Sequence, residues 1–201
     1  MKTFIPRSQQ NRTLNSGERQ VSKSVDEIDK WHKWRYDIVV LSMRKGDKVL
    51  DVGCGIGYGT RAIAVRADKV IGIDDSQETI AYAKENYAHE RVVYACCDAE
   101  ADTTTLEKNC VDVSVMFEVL EHFQDAMKVL KKVADATKRM MFISVPHVSV
   151  DLEKSDFHYR HYTKEDVEKM VAEVGFEIKQ CELLDFSKGK AVFCVAERKN
   201  P

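Results

Sequence analysis

The stretch VLDVGCGIGYGTRAIA, residues 49–64, decides the fold. Its first part, together with Lys48, reads as a buried strand, KVLDV, carrying one acid, Asp51. Four of the chain's nine glycines follow at alternate positions: Gly53, Gly55, Gly57 and Gly59. The residues after them, YGTRAIAVRA, are compatible with a helix. A strand, a glycine turn and a helix make a place for a ligand. Glycine lets backbone come close to the ligand and take unusual dihedrals. The helix start adds unpaired N–H groups. In open α/β sheets such ligands sit beyond the carboxyl ends of the strands.

The glycine spacing narrows the ligand. A dinucleotide fingerprint needs G-x-G-x-x-G. Started at Gly53, its third glycine falls on Tyr58; started at Gly55, it falls on Thr60. No G-K-[ST] occurs, so the loop is not a Walker A loop. No basic residue lies in it, so a polyphosphate would find no cationic partner there.

Working outward, strands and helices alternate. KVIGID is a second strand, followed by a helix from about Ser76 to Tyr87 with Ser76 as its cap. RVVYACC, VDVSVMF and RMMFISV read as the third, fourth and fifth strands, with a helix over about 125–137 between the last two. TKEDVEKMVAEVG is a helix with a capping-box start, Thr163 to Asp166, and a glycine stop, Gly175. FEIKQCELLDF and KAVFCVAER flank Ser187-Lys188-Gly189 as a hairpin. Before the core, Val25, Ile28, Trp31, Tyr36, Val39 and Val40 recur at roughly helical spacing, which predicts an amphipathic helix over 24–43. The pattern predicts an α/β, Rossmann-like, doubly wound sheet of seven mostly parallel strands closed by an antiparallel C-terminal hairpin. Residues 1–45 are expected to form an arm and a helix covering the site, and 46–201 the main domain.

Composition sets outer bounds. The chain has 201 residues, 44% apolar and 32% charged, which suits one soluble globular domain. With 31 basic against 33 acidic residues, nothing suggests a protein built to grip nucleic acid. The six cysteines form no C-x-x-C pair and sit mostly in apolar runs, as reduced structural cysteines would. No signal peptide or membrane span is read, so a cytoplasmic protein is expected, as monomer or homodimer.

VLDVGCGIGYG resembles the first motif of class I S-adenosylmethionine-dependent methyltransferases, and the resemblance runs from about Lys48 to Val145. It implies S-adenosylmethionine as the cofactor. It also implies that Asp51, Gly53, Gly55 and Gly57 hold the loop and the methionine part. Asp74 ends the second strand, about 20 residues on, where an acid accepting both ribose hydroxyls is expected. Asp98, after the third strand, corresponds to the acid that binds the adenine amine.

The acceptor side falls on FEVLEHF, residues 117–123. If this stretch is helical, Glu118, Glu121 and His122 share one face. Two readings stay open. Two carboxylates and an imidazole can bind Mg²⁺ or Mn²⁺, as in ubiquinone-biosynthesis O-methyltransferases and small-RNA 2′-O-methyltransferases. In the latter, further histidines follow the fifth strand, as His147, His158 and His161 do here. Relatives without a metal carry the same pattern, with the glutamate placing the cofactor, and this metal-free reading is preferred. His122, with Glu121 and His161, is then the candidate acid–base group, and Glu118 joins the cofactor set.

SGERQV and DEIDKWHKWRYDIVV are similar to the start of methyltransferases of surface-glycan assembly, through Gly17, Glu18, Arg19, His32, Arg35 and Tyr36. DFHYRHYTKEDV resembles their F-H-x-R-x-Y region. This implies that Arg35 or Tyr36 closes over the cofactor carboxylate. Arg160 is either an acceptor-binding group or a surface charge. The expected reaction is methyl transfer to a small-molecule or glycan acceptor at oxygen. An RNA 2′-O-methyltransferase and a non-catalytic cofactor-binding protein are the alternatives.

Overall fold

The computed structural model describes residues 13–14, 21–151, 155–186 and 189–199. Gly17, Glu18 and Arg19, most of the expected N-terminal arm, and Ser187 and Lys188 lie outside the described residues. After a single 3-10 turn, Val25–Glu27, the chain forms α1, Lys30–Ser42; β1, Lys48–Val52; α2, Tyr58–Ile63; and β2, Lys69–Asp74. Then follow α3, Gln77–Asn86; β3, Val92–Cys96; β4, Val111–Phe117; and a second 3-10 turn, Leu120–His122. The last elements are α4, Ala126–Ala136; β5, Thr137–Pro146; α5, Lys164–Glu173; β6, Phe176–Phe186; and β7, Gly189–Arg198.

The strands make one seven-stranded sheet in the order β3-β2-β1-β4-β5-β7-β6. β1 to β5 are parallel, and β7 runs antiparallel to both β5 and β6. β1 and β4 sit in the middle, buried on both faces, which is why they read as unbroken apolar runs rather than as alternation. The strand order reverses between β1 and β4, so a crevice opens beyond their carboxyl ends.

Local chemistry explains the element ends. Asp29 caps α1 by accepting from Trp31 N–H, so the expected helix over 24–43 is split into a 3-10 turn and a later start. Ser76 caps α3, and Thr163 and Asp166 form the capping box of α5. Gly175 ends α5 at φ 83°, the left-handed region glycine takes without cost. The helix after the glycine turn is shorter than expected: α2 ends at Ile63, with Ala64 as its cap.

Two glycines serve packing rather than ligand access. A Cβ at Gly57 would stand 2.6 Å from the Tyr94 hydroxyl, and one at Gly59 would stand 2.1 Å from the Tyr36 ring. Tyr36 comes from α1 and shares a core with Val39, Val49, Val115, Phe142 and Phe193. So α1 is pressed onto the sheet through a ring that needs a bare α-carbon beneath it.

Asp51 is the polar centre of this contact. It is 0% exposed; Thr60 Oγ1 donates to its Oδ2 at 2.7 Å, and the Tyr36 hydroxyl lies at 3.4 and 3.5 Å from its two oxygens. Burial pushes its carboxyl up to about 7, against the pull of the Thr60 and Tyr36 hydrogen bonds.

Two measurements check this account. Gly59→Ala drives a methyl into the Tyr36 ring and is expected to cost about 1–3 kcal/mol in urea unfolding. Over roughly pH 4–7 the folded chain keeps the Asp51 proton that the unfolded chain has already released. That contribution to stability is present at low pH and is lost as pH rises through 7. Asp51→Asn should therefore flatten the fall of unfolding free energy between pH 5 and 7.5, by an amount on the order of a few kcal/mol.

Candidate active site

A cavity lies in the crevice and is lined by Gly53, Gly55, Asp74, Arg35, Glu118 and His122, among others. The turn after β1 forms its floor. Gly53 and Cys54 both donate their N–H groups to the Ile73 carbonyl, at 2.8 and 3.0 Å, tying the turn to β2. Gly53 takes φ 72°, and a Cβ there would collide with Val119 at 2.5 Å. Gly55 takes φ 54°, and a Cβ there would meet nothing within 4 Å. Its backbone is thus bare toward open space. Asp74 Oδ2 accepts from the Gly55 N–H at 3.2 Å and its Oδ1 from the Ser76 N–H at 3.0 Å. Asp51, Gly57 and Gly59 do not line the cavity; they hold the turn from behind. A second hollow, beside Asp74, Asp75, Cys97 and Ala99, continues the crevice. Asp98 stands between the last two in the chain, accepting the Glu100 N–H at Oδ1, 2.9 Å.

The opposite wall is charged. Glu118 follows β4 in the left-handed region, at φ 50°, a conformation uncommon for a side-chain-bearing residue. It is clamped there: its N–H donates to the Ser144 carbonyl at 2.9 Å, and its Oε1 accepts from Ser144 Oγ at 2.7 Å and from Arg35 Nη1 at 2.9 Å. Arg35, from α1, is 1% exposed. Its Nη1 also donates to Ser144 Oγ, and its Nη2 to His32 Nδ1, both at 2.5 Å. Its Nε is buried without a hydrogen-bond acceptor. The rings of Trp31 and Phe117 flank the guanidinium at 5.2 and 5.1 Å. Tyr36 is turned toward Asp51, and burial raises its hydroxyl well above the usual phenol range.

The expected common face of Glu118, Glu121 and His122 does not form. The left-handed turn at Glu118 breaks the run before the 3-10 turn, and Arg35 and Ser144 take that carboxylate. Glu121 and His122 meet His158 instead: one ligand-type atom from each lies within 4.8 Å of the other two, close enough to hold a cation. The hydrogen bonds fix the ring protons. The Phe157 carbonyl can only accept, so His122 Nδ1, 3.1 Å away, carries the hydrogen. His161 Nδ1 likewise donates to the Val150 carbonyl at 3.0 Å, and His158 Nδ1 to His161 Nε2 at 2.8 Å. Each ring, when neutral, then carries its lone pair on Nε2. His147 lies apart, bonded to Ser149 at 2.8 Å. Arg160 donates to the Gln124 carbonyl at 2.6 Å, pinning the segment it belongs to.

Ser144 is the residue the sequence reading missed. Its signal was available: a lone hydroxyl in the apolar run MMFISV. A buried hydroxyl needs a partner, and Glu118 and Arg35 are that partner.

Residues 50–143 match the methyltransferase domain family. A Mycobacterium tuberculosis protein named "Probable S-adenosylmethionine-dependent methyltransferase" is 27% identical over 143 residues, 67% of this chain and 51% of that protein. A Coxiella burnetii ubiquinone biosynthesis O-methyltransferase is 36% identical over 97 residues, 47% of this chain and 40% of that protein. The chain thus spans about half the length, or less, of these relatives. Magnesium protoporphyrin IX methyltransferase from Synechocystis PCC 6803, solved with S-adenosylhomocysteine, shares the fold at TM-score 0.72 and 18% identity, over 90% of this chain and 89% of that one. Residues 50–143, which include the glycine turn bare toward the crevice, thus match the methyltransferase domain family, and the chain shares its fold with a solved methyltransferase.

Proposed function

We propose that this chain transfers a methyl group from S-adenosylmethionine to an oxygen of a small-molecule or glycan acceptor. The observation that carries this reading is the cavity itself. Bare backbone at Gly55 and the Asp74 carboxylate stand on one side, and Glu118 and His122 on the other. The pieces fit the cofactor's parts. Asp74 can accept from a ribose diol, and Asp98 is the matching acid for the adenine amine. Glu118 can accept from the ammonium of the methionine part. Arg35 is the matching cation for the carboxylate of the methionine part, and its buried Nε–H has no acceptor of its own.

When bound, the cofactor supplies a methyl group already activated by its sulfonium. The chain's own work is alignment and exclusion of water. His122 lines the cavity and is the candidate base for the acceptor's hydroxyl proton, its ring oriented by the bond from Nδ1 to the Phe157 carbonyl. Glu121 and His161 act around it, His161 through its bond to His158.

A metal-assisted form of the reaction is the second reading, supported by the meeting of Glu121, His122 and His158. Such an ion would polarise the acceptor oxygen in place of the imidazole. The acceptor itself is proposed from chemistry alone: the near-neutral charge balance supports a small molecule over RNA.

Transfer of labelled methyl to a quinol, a sugar and an RNA end is the direct test, and labelled RNA alone would reverse the preference. His122→Ala should lower kcat about 10²–10⁴-fold with little change in cofactor affinity. Full activity after exhaustive chelation is expected on the metal-free reading, and its loss with recovery on adding Mn²⁺ or Mg²⁺ on the second.

A further inference from the structure

Glu118 and Arg35 form a pair whose cost needs a reason. Glu118 is held in an uncommon backbone conformation by three contacts, and Arg35 is a fully buried cation. Strained backbone clamped at a cavity wall points to function. A cation this deep persists only beside an anion. Counting histidines as neutral, three lining residues carry charge: Arg35, Asp74 and Glu118. Asp74 accepts from the Gly55 and Ser76 N–H groups and stands on the ribose side of the proposed cofactor site. The charge of Glu118 is met by Arg35.

We propose that Arg35 is the charge-balancing residue of this cavity, cancelling Glu118 so that the methylated cofactor and its demethylated product bind with similar strength. Ser144 is the positioning residue that keeps the pair together. The inference rests on the reading that this cavity takes S-adenosylmethionine. Methyl transfer removes one positive charge: the sulfonium becomes a neutral thioether. In a water-poor cavity an uncompensated carboxylate attracts the first and not the second. It would hold the reactant in its ground state and oppose the dispersal of charge on the way to transfer. Paired with Arg35, Glu118 can still accept a hydrogen bond at its other oxygen while the wall stays near neutral. The pair thus offers hydrogen bonding without a large charge bias.

Calorimetry with S-adenosylmethionine and S-adenosylhomocysteine tests this through the ratio of the two affinities, a quantity a purely structural role would leave alone. Arg35→Met leaves Glu118 uncompensated and should move the ratio about tenfold toward the sulfonium. Glu118→Gln leaves Arg35 uncompensated and should move it about tenfold toward the thioether. The double variant should restore the wild-type ratio. Ser144→Ala keeps both charges and should leave the ratio within about twofold while weakening both ligands. If Arg35→Met does not fold, as judged by its thermal melt, the shift in Glu118→Gln decides alone. Equal weakening of both ligands in Arg35→Met and Glu118→Gln, with the ratio unmoved, overturns the inference. Wild-type protein that binds neither ligand removes the cofactor reading itself, and this inference with it.

Discussion

Everything in the site hangs on a turn whose backbone is pinned from below and bare above. The Ile73 carbonyl receives two successive N–H groups, from Gly53 and Cys54. That pair of hydrogen bonds fixes where β1 stops and accompanies left-handed dihedrals at Gly53, Gly55 and Gly57 that glycine takes most readily. Once the turn is set, Gly55 faces the crevice, Asp74 receives its N–H, and α2 begins at Tyr58. Thr60, on that helix, then reaches back to Asp51. The loop is thus closed on itself through β1, β2 and α2 before any ligand arrives.

The alternating glycines divide their work between two physical tasks. Gly53 and Gly55 shape the cavity floor; Gly57 and Gly59 admit the Tyr94 and Tyr36 rings. Sequence spacing exposes the cluster but not this division, because the demand for a missing Cβ comes from side chains distant in the chain. The strands were legible for the opposite reason. β1, β2 and β4 are buried on nearly their whole length, and burial writes itself into continuous apolar runs. Caps were legible too, since Ser76 and Thr163 act within three residues.

What sequence could not supply was the geometry after β4. Spacing alone put Glu118, Glu121 and His122 on one helical face. The chain instead turns left-handed at Glu118, and contacts from α1 and β5 claim that carboxylate. Such long-range capture has no periodic signature. It leaves only an indirect trace, a serine where an apolar residue would otherwise sit. The same limit applies to His158, whose approach to His122 depends on the path of an irregular segment, with the two rings edge to face at 4.7 Å. The match to the methyltransferase domain family was legible from the β1 turn, while the placement of Glu118, Glu121 and His122 depended on contacts distant in the chain.

The seating of Tyr36 over Gly59 bears on how this scaffold can evolve. In many layouts a leading helix is a detachable cap, free to diverge as substrates change. Here it is a keystone, wedged between the core strands and the sealed acid at the centre. On the proposed reading, drift in acceptor preference has more freedom at residues 155–162, outside the helices and strands, where His158 and His161 lie. Specificity can diversify there without unseating the arch.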